Sequence, residues 1–215
     1  MIASRGEHAG GPRAPVTGAI LAGGAASRFG GTAKGLLTIG AARLIDLAIA
    51  ALRPAVDDLL IVANSSDADR WVPGTRIARD RFPVRATLVG IHAALSEADT
   101  DVAVVGWDMP FVPTALIRHL IDRRRPGVGA VVPEGPSGPE PCAGVYSRAA
   151  LPTIEALVRR GEFTMSAALR ALPRVTVVPL SDVVRVGATD AARMFANVNT
   201  PDDLAAILSR TADEP

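Results

Sequence analysis

The chain is poor in the residues that build stapled, metal-clustered or strongly charged proteins. One cysteine in 215 residues, Cys142, excludes an intramolecular disulfide and any multi-cysteine metal site, and it fits a reducing compartment. Charge is nearly balanced, with 23 cations against 22 anions, so the marked basic excess of a nucleic-acid binder is missing. No apolar run approaches the roughly 18 residues that suggest a membrane span. The opening stretch MIASRGEHAGGPRAP has no apolar core of the kind a secretory signal needs. These absences lead us to expect a cytoplasmic protein that binds neither nucleic acid nor membrane. Histidine is scarce as well. His8 lies in the opening stretch, while His92 and His119 fall inside helical patterns and read as structural.

What is present is ordinary globular material: 48% hydrophobic and 21% charged residues, and enough length to bury a full core. We expect a disordered arm over 1–15, a single domain over 16–210 and a short tail over 211–215. Short apolar runs alternate with longer helical patterns. Strands are predicted at 17–23, 57–64, 75–80, 101–108, 128–134, 142–147 and 174–180. Helices are predicted at 42–54 (ended by Pro54), 87–98, 113–124, 150–160, 164–172 and 201–210. The stretch GPSGPEP at 135–141 reads as a loop, and the arginines at 123–125 as the solvated end of a helix. Alternation of this kind, with strands apolar throughout, implies an α/β fold with a mostly parallel sheet covered by helices on both faces. Ligands bind such sheets at the carboxyl ends of the strands.

One of those ends carries GAILAGGAASRFGGTAKGLL, residues 18–37. Glycines at 23, 24, 30 and 31 let the backbone turn tightly and approach a ligand, and successive N–H groups there can form an anion-binding nest. Arg28 and Lys34 add a bidentate fork and a point charge, both suited to phosphate oxygens. The stretch matches neither GxxxxGK[ST] nor GxGxxG. A surface turn with two solvated cations is the alternative. Asp108 ends the apolar strand at 101–108, where a carboxylate would be exposed at the ligand edge. A helix cap is its other reading.

LAGGAASRFGGTAKGLL resembles the signature loop of the nucleotidyltransferases, LAGGxxxRMGGxxKxL, and in particular that of the molybdenum cofactor guanylyltransferases, the MobA family. VVGWDMPFV resembles that family's strand ending in a metal-binding aspartate. LVGIHAAL (88–95) is similar to its GPLAGIxAAL, and FANVNTPDDL (195–204) to its FxNVNTPEDL. The four segments keep the family's order and span residues 18–204. The resemblance implies a three-layer, Rossmann-like nucleotidyltransferase fold. It also implies transfer of GMP from GTP to the phosphate of the molybdenum-molybdopterin cofactor, giving the guanine dinucleotide and pyrophosphate. Arg28, Lys34 and Asp108 would carry catalysis, with Mg²⁺ on Asp108. Leu21, Ala22, Gly23, Gly24, Lys34, Asn64, Asp80 and Asp108 would bind nucleotide, and Asn197 and Asn199 the acceptor. PEPCAGVYS would line the acceptor side, with Cys142 as a small packing residue. Molybdoenzymes or cofactor-biosynthesis proteins are the implied partners.

The chain departs from the pattern at four places. Ala33 stands where the family has aspartate, Ala86-Thr87-Leu88-Val89 where it has GPLA, Trp107 where cysteine is common, and EPC (140–142) where QPL is frequent. Three alternatives therefore stay open: a cytidylyltransferase, an enzyme using another phosphorylated acceptor, and a nucleotide-binding regulatory module without turnover. Trp71 and Trp107 read as packing residues.

Overall fold

The computed structural model describes residues 13–23, 33–199 and 203. In chain order the elements are β1 (Val16–Leu21), β2 (Thr38–Ile39), β3 (Ala42–Arg43), α1 (Leu44–Leu52), β4 (Asp58–Val62), β5 (Arg76–Ala78), α2 (Thr87–Glu97), β6 (Asp101–Gly106) and α3 (Thr114–Ile121). They continue with β7 (Ala130–Gly135), β8 (Gly138–Pro139), β9 (Val145–Tyr146), α4 (Leu151–Arg159), α5 (Met165–Ala171), β10 (Val175–Val178), α6 (Leu180–Gly187) and α7 (Ala191–Met194). The main sheet runs β10-β7-β9-β6-β1-β4-β5, with β8 paired onto β7. β1 is parallel to both β4 and β6, β4 to β5, and β10 to β7, while β9 runs antiparallel between β6 and β7. β2 and β3 form a separate small ribbon.

Strict alternation along the strands explains why both faces are covered. Leu59 and Ile61 of β4, and Ala103 and Val105 of β6, belong to one core with α1, α3, α6 and α7. Leu60 and Val62, and Val102 and Val104, belong to a second core with α2, α4 and α5. β4 and β6 are therefore apolar on both faces after their first residues, Asp58 and Asp101, as a sheet sandwiched between helices requires. A fully buried side chain of this size contributes about 1.5–3 kcal/mol. Packing on two faces thus holds the central strands in one register.

That register sets the ligand edge. Leu21 pairs with Val62 on one side and Gly106 on the other, and Val62 pairs with Ala78. Four parallel strands therefore end level, followed by Ala22, Ala63, Arg79 and Trp107. The chain fills β1, β4 and β5 outward, then crosses back to β6 on the far side of β1. The strand order thus reverses between β1 and β6, which is where open α/β sheets form their binding crevice.

Several expectations need correction. The strand predicted at 142–147 is only β9, because Pro141–Ala143 coils into a 3-10 turn first. The loop predicted at 135–141 contains β8, whose Pro139 is tolerated because a two-residue edge strand needs few ladder donors. Ala42 and Arg43, expected in a helix, form β3, and α1 starts after them. α6 and α7 were not foreseen. The arginines at 123–125 are not a freely solvated helix end. Arg124 bonds Asp101 at 2.8 Å and the Ala14 carbonyl at 2.9 Å, and Arg123 bonds Asp182 at 3.1 Å. The arm expected at 1–15 lies outside the described residues except for 13–15. The helix expected at 201–210 does so except for Asp203, and the tail at 211–215 entirely. No helix among the described residues is long and apolar enough to cross a membrane.

Candidate active site

The strands ending at the crevice bring together residues far apart in sequence. Lys34 opens a 3-10 turn, Lys34–Leu36, stitched by Leu36 N–H donating to Ala33 O at 2.9 Å and Leu37 N–H to Lys34 O at 3.1 Å. Its side chain, 11% exposed, crosses the crevice. Nζ donates to Asp108 Oδ2 and to Asn199 Oδ1, both at 2.8 Å. A mostly buried ammonium must find acceptors, and these two supply them. An ammonium has three donors, so one remains for a further acceptor.

Asp108 reaches this position through a tight turn at the end of β6. Met109 N–H donates to Gly106 O at 3.1 Å, and Asp108 folds back over Gly106. A Cβ at position 106 would lie 2.6 Å from Asp108 Oδ1, so only glycine leaves the carboxylate room. The backbone of Asp108 also anchors the C-terminal segment, because Val198 N–H donates to its carbonyl at 2.9 Å. Asn199 is thereby held beside Lys34. Its own N–H donates to Asp203 Oδ2 at 2.8 Å. Asn199 thus faces Lys34 with its side chain and meets the following segment through its backbone. Asn197 turns elsewhere, its Nδ2 donating to the Phe195 carbonyl at 3.4 Å.

On the other side of β1, Asn64 and Asp80 follow β4 and β5 and bond each other twice. Asn64 Nδ2 donates to Asp80 Oδ2 at 2.5 Å, and Asp80 N–H donates to Asn64 Oδ1 at 2.9 Å. Asp80 Oδ1 is buried and has no partner among the described residues. Burial raises the Asp80 pKa above the ordinary carboxylate value, against the pull of the Asn64 hydrogen bond and the Arg85 charge. Between the two clusters, Ala22 N–H donates to Val62 O at 2.9 Å and Leu21 O accepts from Trp107 N–H at 3.3 Å. Among the described residues nothing lies within 4 Å of where a Gly23 side chain would begin. Gly24 and Arg28 lie outside the described residues.

The PEPCAGVYS segment borders the same crevice. Burial, reinforced by the nearby Asp108 charge and opposed by a hydrogen bond with Thr87, pushes the Cys142 thiol up to about 11. It therefore stays protonated at neutral pH and is no nucleophile. Glu140 is also raised, by burial. Among the described residues no group of three or more His, Cys, Asp or Glu could cage a metal. One partly exposed carboxylate beside an amide oxygen suits an ion that takes most of its ligands from phosphate and water, as Mg²⁺ does.

Two residues that sequence reasoning left as plain packing border this cluster. Trp107 is 3% exposed and sits against Gly35, the neighbour of Lys34, with Trp71 behind it. That Trp107 adjoins Asp108 was visible in the sequence, but its contacts with Gly35 and Trp71 were not.

Comparison with known proteins follows the same lines. The family model for the MobA-like NTP transferase domain matches residues 18–177. The molybdenum cofactor guanylyltransferase of Desulfosudis oleivorans is 36% identical over 192 residues, which cover 88% of this chain and 92% of that protein. The probable molybdenum cofactor guanylyltransferase of Haloferax mediterranei is 33% identical over 200 residues, covering 90% and 93%. Among solved structures, molybdopterin-guanine dinucleotide biosynthesis protein A from Archaeoglobus fulgidus superposes with a TM-score of 0.77 at 24% identity, over 92% of this chain and 100% of that one. It shares the fold.

Proposed function

This chain belongs to the MobA-like NTP transferase family, and on that footing we propose that it transfers GMP from GTP to the phosphate of molybdopterin cofactor. The acceptor phosphate oxygen attacks the α-phosphorus, a new P–O bond forms, the bond to the bridging oxygen breaks, and pyrophosphate leaves with that electron pair. The attacking phosphate is already anionic at neutral pH, so no general base is needed. Catalysis then rests on positioning and on charge stabilisation.

The observation that carries this reading is the bridging of Asp108 and Asn199 by Lys34 at the switch point of the sheet. The third donor of Lys34 would meet a triphosphate oxygen. Arg28, by its place in the glycine loop, would hold the leaving pyrophosphate. Asp108, with Asn199 near it, would hold Mg²⁺, which supplies charge neutralisation across the phosphates when bound. Asn197 is proposed on the acceptor side with the 140–147 segment.

Base choice falls to the Asn64–Asp80 pair. Guanine offers two neighbouring N–H donors on its pairing edge, which suit a carboxylate. Cytosine offers one donor beside acceptors. The Asp80 carboxylate, held by Asn64 at the ends of β4 and β5, would accept from those two donors and so favour GTP. Leu21, Ala22 and Gly23 would present backbone groups beside it.

The test is product identification. Purified protein, Mg²⁺, GTP and molybdopterin cofactor should yield the guanine dinucleotide by mass, with pyrophosphate in equal amount. Pyrophosphate without the dinucleotide, or GMP attached to a different acceptor supplied in parallel, would overturn the assignment.

A further inference from the structure

Trp107 precedes Asp108 and Gly35 follows Lys34, and the two meet across the crevice. A Cβ at position 35 would lie 2.2 Å from Trp107 Cε3 and 2.9 Å from both Cδ2 and Cζ3. The indole therefore occupies the space where a side chain would begin, and its face rests on the backbone that carries Lys34. Behind it stands Trp71, with ring centroids 5.4 Å apart at 32°. Trp71 is itself braced, since Arg43 Nη1 donates to its carbonyl at 2.9 Å while two further Arg43 nitrogens clamp Asp46 at 2.7 Å each. On the other flank, Trp107 N–H ties the backbone to β1 through Leu21 O. A three-residue 3-10 turn has little stiffness of its own. This stack gives it a wall.

We propose that Trp107 is a positioning residue for the transfer: seated on Gly35 and backed by Trp71, it sets the placement of Lys34 relative to Asp108. The inference rests on the transferase reading above and extends it to residues outside the reacting groups. The contact acts on the neighbour of each charged residue, so a shift of the ring displaces Lys34 and Asp108 relative to one another. The Trp107 indole N–H is buried without a partner among the described residues. Phenylalanine would keep the stacking face and omit that unpaired donor, which makes it the conservative replacement.

The experiment compares Trp107→Phe, Trp107→Ala and Gly35→Ala for melting temperature, kcat, KM for GTP and the Mg²⁺ concentration for half-maximal rate. Misplacement on the scale of an ångström costs up to 100-fold, so Trp107→Ala and Gly35→Ala should lose about 10- to 100-fold in kcat, with Trp107→Phe within about threefold of wild type. Both damaging variants should need more Mg²⁺ and keep the preference for GTP over CTP. A second readout uses the Trp71→Phe background, where Trp107 is the sole tryptophan. Its emission should shift on adding Mg²⁺ with a GTP analogue carrying a methylene α–β bridge, and Gly35→Ala should abolish the shift. Lower melting temperatures with unchanged kcat per folded molecule and unchanged Mg²⁺ need would overturn the proposal. So would a phenylalanine variant as impaired as the alanine one. Should the wild type transfer nothing, the transferase reading fails; the placement of Lys34 against Asp108 by Trp107 then stands if the emission shift is present and lost in Gly35→Ala, and falls if it is absent or unaffected.

Discussion

Lys34 and Asp108 stand 74 positions apart in sequence and 2.8 Å apart in space, joined across the crevice between β1 and β6. The two side chains are 11% and 26% exposed, so the pair is desolvated enough to hold its geometry and open enough to meet a substrate. Lys34→Met keeps the stem and removes the charge. It should lower kcat by about 10²–10³-fold, the loss typical of removing one transition-state donor. Steady-state kinetics check this. A loss confined to KM would place Lys34 in ground-state binding instead.

Asp80 gives a prediction that links stability to function. Because burial raises its pKa, the folded state holds the proton to higher pH than the unfolded chain does. This group's contribution to stability therefore falls as pH rises between the ordinary and the raised value, and stays reduced above it. Asp80→Asn should melt higher than wild type near pH 7, with the gap closing as pH falls below about 4. The same variant should raise KM for GTP by about tenfold or more. Thermal melts across pH and GTP kinetics check the two halves.

His92 carries the opposite sign. It is 3% exposed, packs edge-on against Phe82 with centroids 5.1 Å apart, and its pKa is lowered chiefly by burial. Arg81 and Arg159 reinforce the shift, while Glu155 and Asp80 oppose it. Below about pH 6.5 the unfolded chain takes up a proton that the folded state refuses, so stability drops as pH falls through that window. His92→Leu should flatten the fall in melting temperature between about pH 7 and pH 5. Parallel slopes in variant and wild type would contradict this.

Asp101 provides a control at the far end of β6. Its carboxylate accepts from Arg124 at 2.8 Å and from the Arg148 N–H at 2.9 Å, tying two connections to the strand start. Asp101→Ala should cost about 1–3 kcal/mol, discounted for partial exposure, and lower the melting temperature by several degrees. The Mg²⁺ requirement of the folded fraction should not move. Calorimetry beside a Mg²⁺ titration separates the two effects.

Much of this architecture was legible because the central strands are apolar on both faces along most of their length and the longer helices keep a clear period. β1, α2, β6 and α4 fall where the pattern put them. Elements defined by tertiary pairing were harder to read. β9 is two residues long and exists because β6 and β7 flank it, and β8 contains a proline. α6 was hidden because its first residue, Leu180, closes the apolar run of β10, and because it ends on Ala188 in the left-handed region at φ 51° instead of on a glycine. Lys34 and Asp108 were named from local pattern, and Asn199 from the resemblance of its segment to a family motif, on the acceptor side. That Asn199 would face Lys34, while Asn197 turned to its own backbone, depended on the Val198–Asp108 hydrogen bond, which no local pattern shows. The Trp107–Gly35 contact is of the same kind. Trp107 stood out alone only as a departure and a packing residue, and the fold gives it meaning together with Gly35.

The measurement that tests the account most directly is pyrophosphate release with Mg²⁺ and molybdopterin cofactor, run with GTP and with CTP, for wild type and Asp108→Ala. Release is expected with GTP, little with CTP, and none in the variant. Preference for CTP, or undiminished release after Asp108→Ala, would contradict it.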